Sequence, residues 1–144
     1  MKKLTRWIAA IIAGLAVVAI AADELELTAG WTYEKNGRKR ILVSDVTQYD
    51  VTGNGVVENV QLVSTNAGGD ALVLGGVTDP GFAWFNNLDA SNRVQIGSYD
   101  ANTNFVAFLE LRPGEKSFTW LRVAAPRAMA TTNAVKLDYV ISDR

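Results

Sequence analysis

"GFAWFNNLDASNRVQIGSYD", Gly81 to Asp100, holds two apolar runs divided by a polar one. Phe82 and Trp84 alternate with Ala83 and Phe85, so a strand here is apolar on both faces. Such a strand is central in its sheet, or one of its faces is covered by a neighbouring chain. Arg93 to Ser98 reads as the next strand. Between the two, Asn86 to Asn92 supply Asn and Asp side chains that hydrogen-bond nearby backbone and tolerate left-handed conformations. "NNLDASN" is therefore turn chemistry joining two strands, with a ligand site as the alternative.

The period of two extends outward from this stretch. Leu25, Leu27, Ala29, Trp31 and Tyr33 alternate, and Asn36-Gly37 follows as a hairpin signal. Ile41, Val43, Val46, Tyr49 and Val51 run to Asn54-Gly55, which reads as the next turn. Val57 to Ser64 is strand-like and ends at Gly68-Gly69; Ala71 to Leu74 ends at Gly75-Gly76. Phe105, Ala107, Leu109 and Leu111 alternate up to Arg112-Pro113-Gly114-Glu115. Pro there presets the first corner, and Gly accepts the positive φ of a type II second corner. Phe118 and Trp120 share a face of one strand; Val135, Leu137, Tyr139 and Ile141 share a face of the last. No amphipathic helix pattern follows residue 22. The predicted fold is all-β: one antiparallel β-sandwich, jelly-roll-like, over residues 22–144, preceded by a hydrophobic helix.

That helix is the leader "MKKLTRWIAAIIAGLAVVAIAAD". Lys2, Lys3 and Arg6 precede an uncharged stretch from Trp7 to Ala22. As a helix it spans about 24 Å at about 1.5 Å per residue, short of the ~30 Å hydrocarbon core. Ala19-Ile20-Ala21 fits signal-peptidase cleavage after Ala21. Residues 1–21 are thus a signal peptide or, alternatively, a retained membrane anchor. In the second case Ala9, Ala10, Ala13, Gly14 and Ala16 form a small-residue packing face, and residues 7–22 are the only membrane contact.

Composition narrows the chemistry. The chain has 144 residues, 49 % of them apolar, enough for one sizeable core. Setting the three leader cations aside leaves 11 basic against 15 acidic side chains, which gives no electrostatic reason to bind nucleic acid. There is no Cys and no His. Disulfides, thiol nucleophiles, the usual catalytic triads and most transition-metal sites are thereby excluded, and the chain reads as a non-enzyme without a cofactor.

Individual motifs have plain readings. "DVTGNGVVENVQ", Asp50 to Gln61, resembles a calcium loop, but Gln61 stands where a bidentate Glu is needed, and a hairpin turn explains the same residues. Arg38, Lys39 and Arg40 form the one basic cluster of the body. They suit an acidic partner, or a solvated strand start whose charges protect a sheet edge. Asp45 with Asp50, and Glu110 with Glu115, are near in sequence but carry no mark of burial. Trp31, Trp84 and Trp120 lie in alternating strands and are expected in the core, the alternative being an exposed aromatic row. The candidate partner surface consists of Trp84, Phe85, Arg38, Lys39 and Arg40.

One segment resembles a known group. "GDALVLGGVTDPGFAWFNNLDASNRVQIG", Gly69 to Gly97, is similar to small β-sandwich virion proteins of bacteriophages. In that group a short apolar strand, a Pro-Gly step, a strand ending in Asn-x-Asp-x-x-Asn and a "V-x-I-G" strand follow in this order. The later "LRPGE", Leu111 to Glu115, and "AVKLDYVISD", Ala134 to Asp143, match as well. These proteins usually begin near Ala22-Asp23-Glu24, so the leader is an addition. The resemblance implies a sandwich used for capsid decoration, cementing or accessory roles, with capsid or other virion proteins as partners, homo-oligomer formation and no catalytic residues. The alternative is an exported binding module, periplasmic or secreted, that takes a glycan or a host receptor.

Overall fold

The structure is a computed structural model. It describes residues 24–27, 30–35, 38–43, 47–50 and 53–144. The leader and its expected helix lie outside the described residues. The strands divide into two compact units, Met1–Asp50 and Val51–Arg144.

In the first unit, β1 (Glu24–Leu27) pairs antiparallel with β4 (Thr47–Asp50). Between them in sequence, β2 (Gly30–Lys35) pairs with β3 (Arg38–Val43). Lys35 stands opposite Arg38, so only Asn36-Gly37 separates the two strands, the spacing of a two-residue hairpin loop. The expectation drew one sandwich over 22–144. Among the described residues, the strands of this unit pair only with one another.

The second unit holds β5 (Val56–Val63), β6 (Asp70–Ala71), β7 (Pro80–Asn87), β8 (Val94–Tyr99), β9 (Phe105–Leu111), β10 (Lys116–Trp120), β11 (Arg127–Ala130) and β12 (Val135–Asp143). Two antiparallel four-stranded sheets result, with orders β10-β7-β12-β5 and β6-β11-β8-β9. Four antiparallel pairs are nested along the chain: β8 with β9, β7 with β10, β6 with β11, and β5 with β12. Alternate pairs go to alternate sheets, and the contacts β12–β7 and β11–β8 join them. This unit is one long hairpin rolled over itself.

One core cluster takes side chains from both sheets. Ala83 and Phe85 of β7 and Leu137, Tyr139 and Ile141 of β12 meet Val94 and Ile96 of β8, Leu111 of β9, and Ala128 and Ala130 of β11. Period two aims these residues to one side of each strand. β7 is flanked on both sides, by β10 and β12, so it is an internal strand, one of the two alternatives its apolar faces allowed.

Two of the six connections that cross between the sheets lie side by side. Arg112 to Glu115 links β9 of the second sheet to β10 of the first; Glu115 N–H donates to Arg112 O at 3.0 Å, and Gly114 has φ +70°, the type II corner expected. The second of these is Leu88 to Arg93, between β7 and β8. The hairpin expected at Asn54-Gly55 does not form. β5 pairs with β12, far along the chain, because the Gly55 N–H is held by the Asp143 carboxylate at 2.8 Å and Asp143 N–H donates to Gly55 O at 2.8 Å.

Candidate functional site

The polar side chains from Asn87 to Asn92 serve the fold. Asn87 is fully buried at the end of β7. Its Nδ2 lies 2.9 Å from Asn92 O, 3.0 Å from Arg112 O and 3.3 Å from Leu111 O, and its Oδ1 accepts from Asp89 N–H at 3.0 Å. Its backbone accepts from Gly114 N–H at 3.0 Å and donates to Glu115 O at 2.9 Å. One side chain thus ties these two turns together. Asp89 Oδ1 accepts from Ser91 N–H, Asn92 N–H and Asn92 Nδ2. These bonds, those from Ser91 and Asn92 N–H foremost, hold its carboxyl below the usual range. The loop's amides and carboxylate are satisfied from within, which is turn chemistry.

The outer face of the first sheet is different. Register places Phe118, Trp84, Val140 and Glu58 in one row across its four strands, and Lys116, Asn86, Asp138 and Val60 in the next. Trp120 stands opposite Phe82, and Leu62 opposite Lys136. Val56 is 65 % exposed, Val60 55 %, Leu62 65 % and Phe118 48 %. The Phe118 ring lies 5.8 Å from Phe82 and 6.5 Å from Trp84, and Lys116 Nζ is 6.0 Å from the Trp84 ring centre. A sheet face next to water normally carries polar residues. This one carries many apolar residues, interspersed with Asn86, two lysines and two carboxylates.

The sequence candidates separate accordingly. Trp84 is half-buried on the outer face. Phe85 leaves the candidate surface: it points into the core with no exposure, its ring 6.3 Å from that of Tyr139, because adjacent residues of a strand face opposite sides. Trp120, expected in the core, is 41 % exposed. The strand β10 turns Ser117 and Thr119, opposite Phe85 and Ala83, to the inside instead. Arg38 and Lys39 are exposed on β3 of the other unit; the side chain of Arg40, like that of Trp31, lies outside the described residues. Sequence reasoning missed Val56, Val60, Leu62 and Phe118 as surface residues. The signal was present in "KSFTWL", where polar residues alternate with aromatic ones, but either face could have been the inner one.

Other features have structural partners. Glu110 accepts from Gln95 at 3.1 Å and from Arg93 at 2.9 Å, which hold its carboxyl below the usual range, Gln95 first. Glu115 accepts from Arg112 N–H at 2.7 Å within its turn. Asp143 accepts from Asp79, Thr78 and Gly55 N–H at 2.9, 2.8 and 2.8 Å, and its carboxyl is also lowered, chiefly by Asp79 N–H. This cradle occupies the glycines of the calcium-like stretch. Among the described residues, no group of three or more His, Cys, Asp or Glu could hold a metal ion. An open groove of about 370 Å³ is lined by Phe108, Thr119, Trp120, Arg122 and Val123. No family model, curated protein or solved structure matches the chain.

Proposed function

We propose that this chain is a non-enzymatic structural protein of a virus particle, a capsid decoration, cement or accessory subunit. It acts by burying the outer face of its first sheet against protein. The exposed apolar side chains at both edges of that face, Val56, Val60 and Leu62 on β5 and Phe118 on β10, carry this reading. Exposed apolar side chains gathered on one face mark an interaction surface rather than an ordinary solvated one. Four nested strand pairs over one core support the jelly-roll expectation. Jelly rolls include both capsid and lectin domains, so the fold alone does not choose between them.

Trp84 beside Asn86 and Asp138 favours a second reading, an exported module that stacks a sugar on the aromatic ring. The aliphatic β5 stripe has no use in sugar recognition and favours protein packing. Mass spectrometry of purified particles tests the proposal: the protein is expected at many copies per particle, and its absence would overturn the virion role. Glycan-array binding that is lost in Trp84→Ala, with the fold intact, would establish the second reading instead.

A further inference from the structure

We infer that the occupant of the outer face of the first sheet is a second copy of this chain, related by a two-fold axis parallel to the strands. The inference rests on reading that face as a packing surface. Three observations carry it.

The first is area. Four strands at ~4.8 Å spacing and eight residues at ~3.4 Å give a face of roughly 500 Å² in projection. That is of the order of the ~800 Å² of accessible surface each partner buries in a standard interface. One face is therefore enough, and sheets stack face to face at about 10 Å.

The second is charge. The face carries Lys116 and Lys136 against Glu58 and Asp138, so it is neutral and can meet itself without net repulsion. At its margins the signs differ: Lys116 lies on β10 and Glu58 on β5, the two outermost strands of the sheet, while Lys136 and Asp138 share the inner strand β12.

The third is symmetry. A two-fold axis along the strands lays β10 over the partner copy's β5, and β7 over its β12. Trp84 then meets the partner copy's Val140, which shares its row. Lys116 comes within one residue pair, about 7 Å along the strand, of the partner copy's Glu58. A closed pair results, in which the exposed Val60 and Leu62 are covered by β10 and its surroundings. A two-fold axis across the strands would instead set β10 against β10 and β5 against β5, losing both matches.

Sedimentation velocity of the full chain between about 1 and 100 µM is the test. A dimer is expected. Val60→Lys and Leu62→Lys, both at exposed positions, are expected to raise the dissociation constant at least tenfold while leaving the thermal midpoint unchanged at concentrations where wild type and variant are both monomeric. Lys116→Glu and Glu58→Lys are each expected to weaken the dimer about tenfold, and the double exchange to restore it. A monomeric wild-type chain would overturn the inference. So would association unaltered by Val60→Lys and Leu62→Lys, which is the result that self-association through the leader would produce. Failure of the charge exchange to restore the dimer would overturn the two-fold arrangement. These outcomes are separate from the virion reading, which fails only if the protein is missing from particles.

Discussion

Replacing Asn87 by Ala should destabilise the second unit by about 3 kcal/mol. The side chain has two N–H donors serving three carbonyls, and one oxygen accepting from Asp89 N–H. Three hydrogen bonds are therefore lost, each contributing on the order of 1 kcal/mol, and the carbonyls at this corner each lose a donor. Unfolding entropy of about 2.1 cal/mol/K per residue, taken over Val51–Arg144, gives roughly 0.2 kcal/mol/K. The thermal midpoint should then fall by about 15 °C, measured by circular dichroism or calorimetry. Asn87→Asp sharpens the test. The introduced carboxylate faces three carbonyl oxygens, so at pH 7 it should be worse than Ala. Its folded-state pKa is raised by these acceptors, so the carboxyl favours the fold below its unfolded pKa of about 3.9 and disfavours it as pH rises. The gap between the Asp and Ala variants should therefore narrow as the medium is acidified. An Asn87→Ala protein within about 0.5 kcal/mol of the wild type, or Asp and Ala variants that run parallel at every pH, would refute the idea that this side chain ties the two turns.

Three further outcomes follow from the same structure. The carboxyls of Asp79, Asp89, Asp100, Glu110 and Asp143 are all held below their ordinary values. Their contributions are present above the unfolded pKa and lost as pH falls through the folded one, so the unfolding midpoint should drop below about pH 4. With no His in the chain it should stay nearly flat from about pH 5 to 8, and Asp143→Asn should shrink the acid-side fall. Gly97→Ala should cost about 2–3 kcal/mol in denaturant titration, because an added Cβ would run into Val106 O and the Phe105 ring. Tyr139→Phe should cost about 1–3 kcal/mol by the same measurement. The buried hydroxyl accepts from Val73 N–H at 2.9 Å and Asn59 Nδ2 at 3.1 Å, and has Gln61 Oε1 and Val73 O, each at 3.0 Å, to donate to.

Much of the fold was legible because strand periodicity and turn chemistry are local. Leu137, Tyr139 and Ile141 declare one face of β12 by spacing alone, and all three are buried. Pro113-Gly114 declares a corner because only a residue tolerant of positive φ completes it, and Gly114 has that φ. Asn54-Gly55 carried an equally strong local signal and gave no hairpin. Its backbone is claimed by Asp143, at the opposite end of the unit's sequence. A local pattern cannot anticipate a partner that only the rolled chain brings near.

The candidate surface was less legible for a related reason. Alternation in "FAWF" separates two faces that both hold apolar residues, and in "KSFTW" it separates an aromatic face from a Ser and Thr face, but in neither case does it say which is inside. The sequence by itself determined that the body is strands, where most of them turn, and that His and Cys chemistry is absent. Tertiary structure decided the rest. The pairing of β7 with β10 and β12 sent Phe85 inward and Trp84 outward. The pairing of β5 with β12 left Val56, Val60 and Leu62 facing water. Which side of a two-faced strand is buried depends on which strand lies across the core, and that contact is set by the roll of the whole chain.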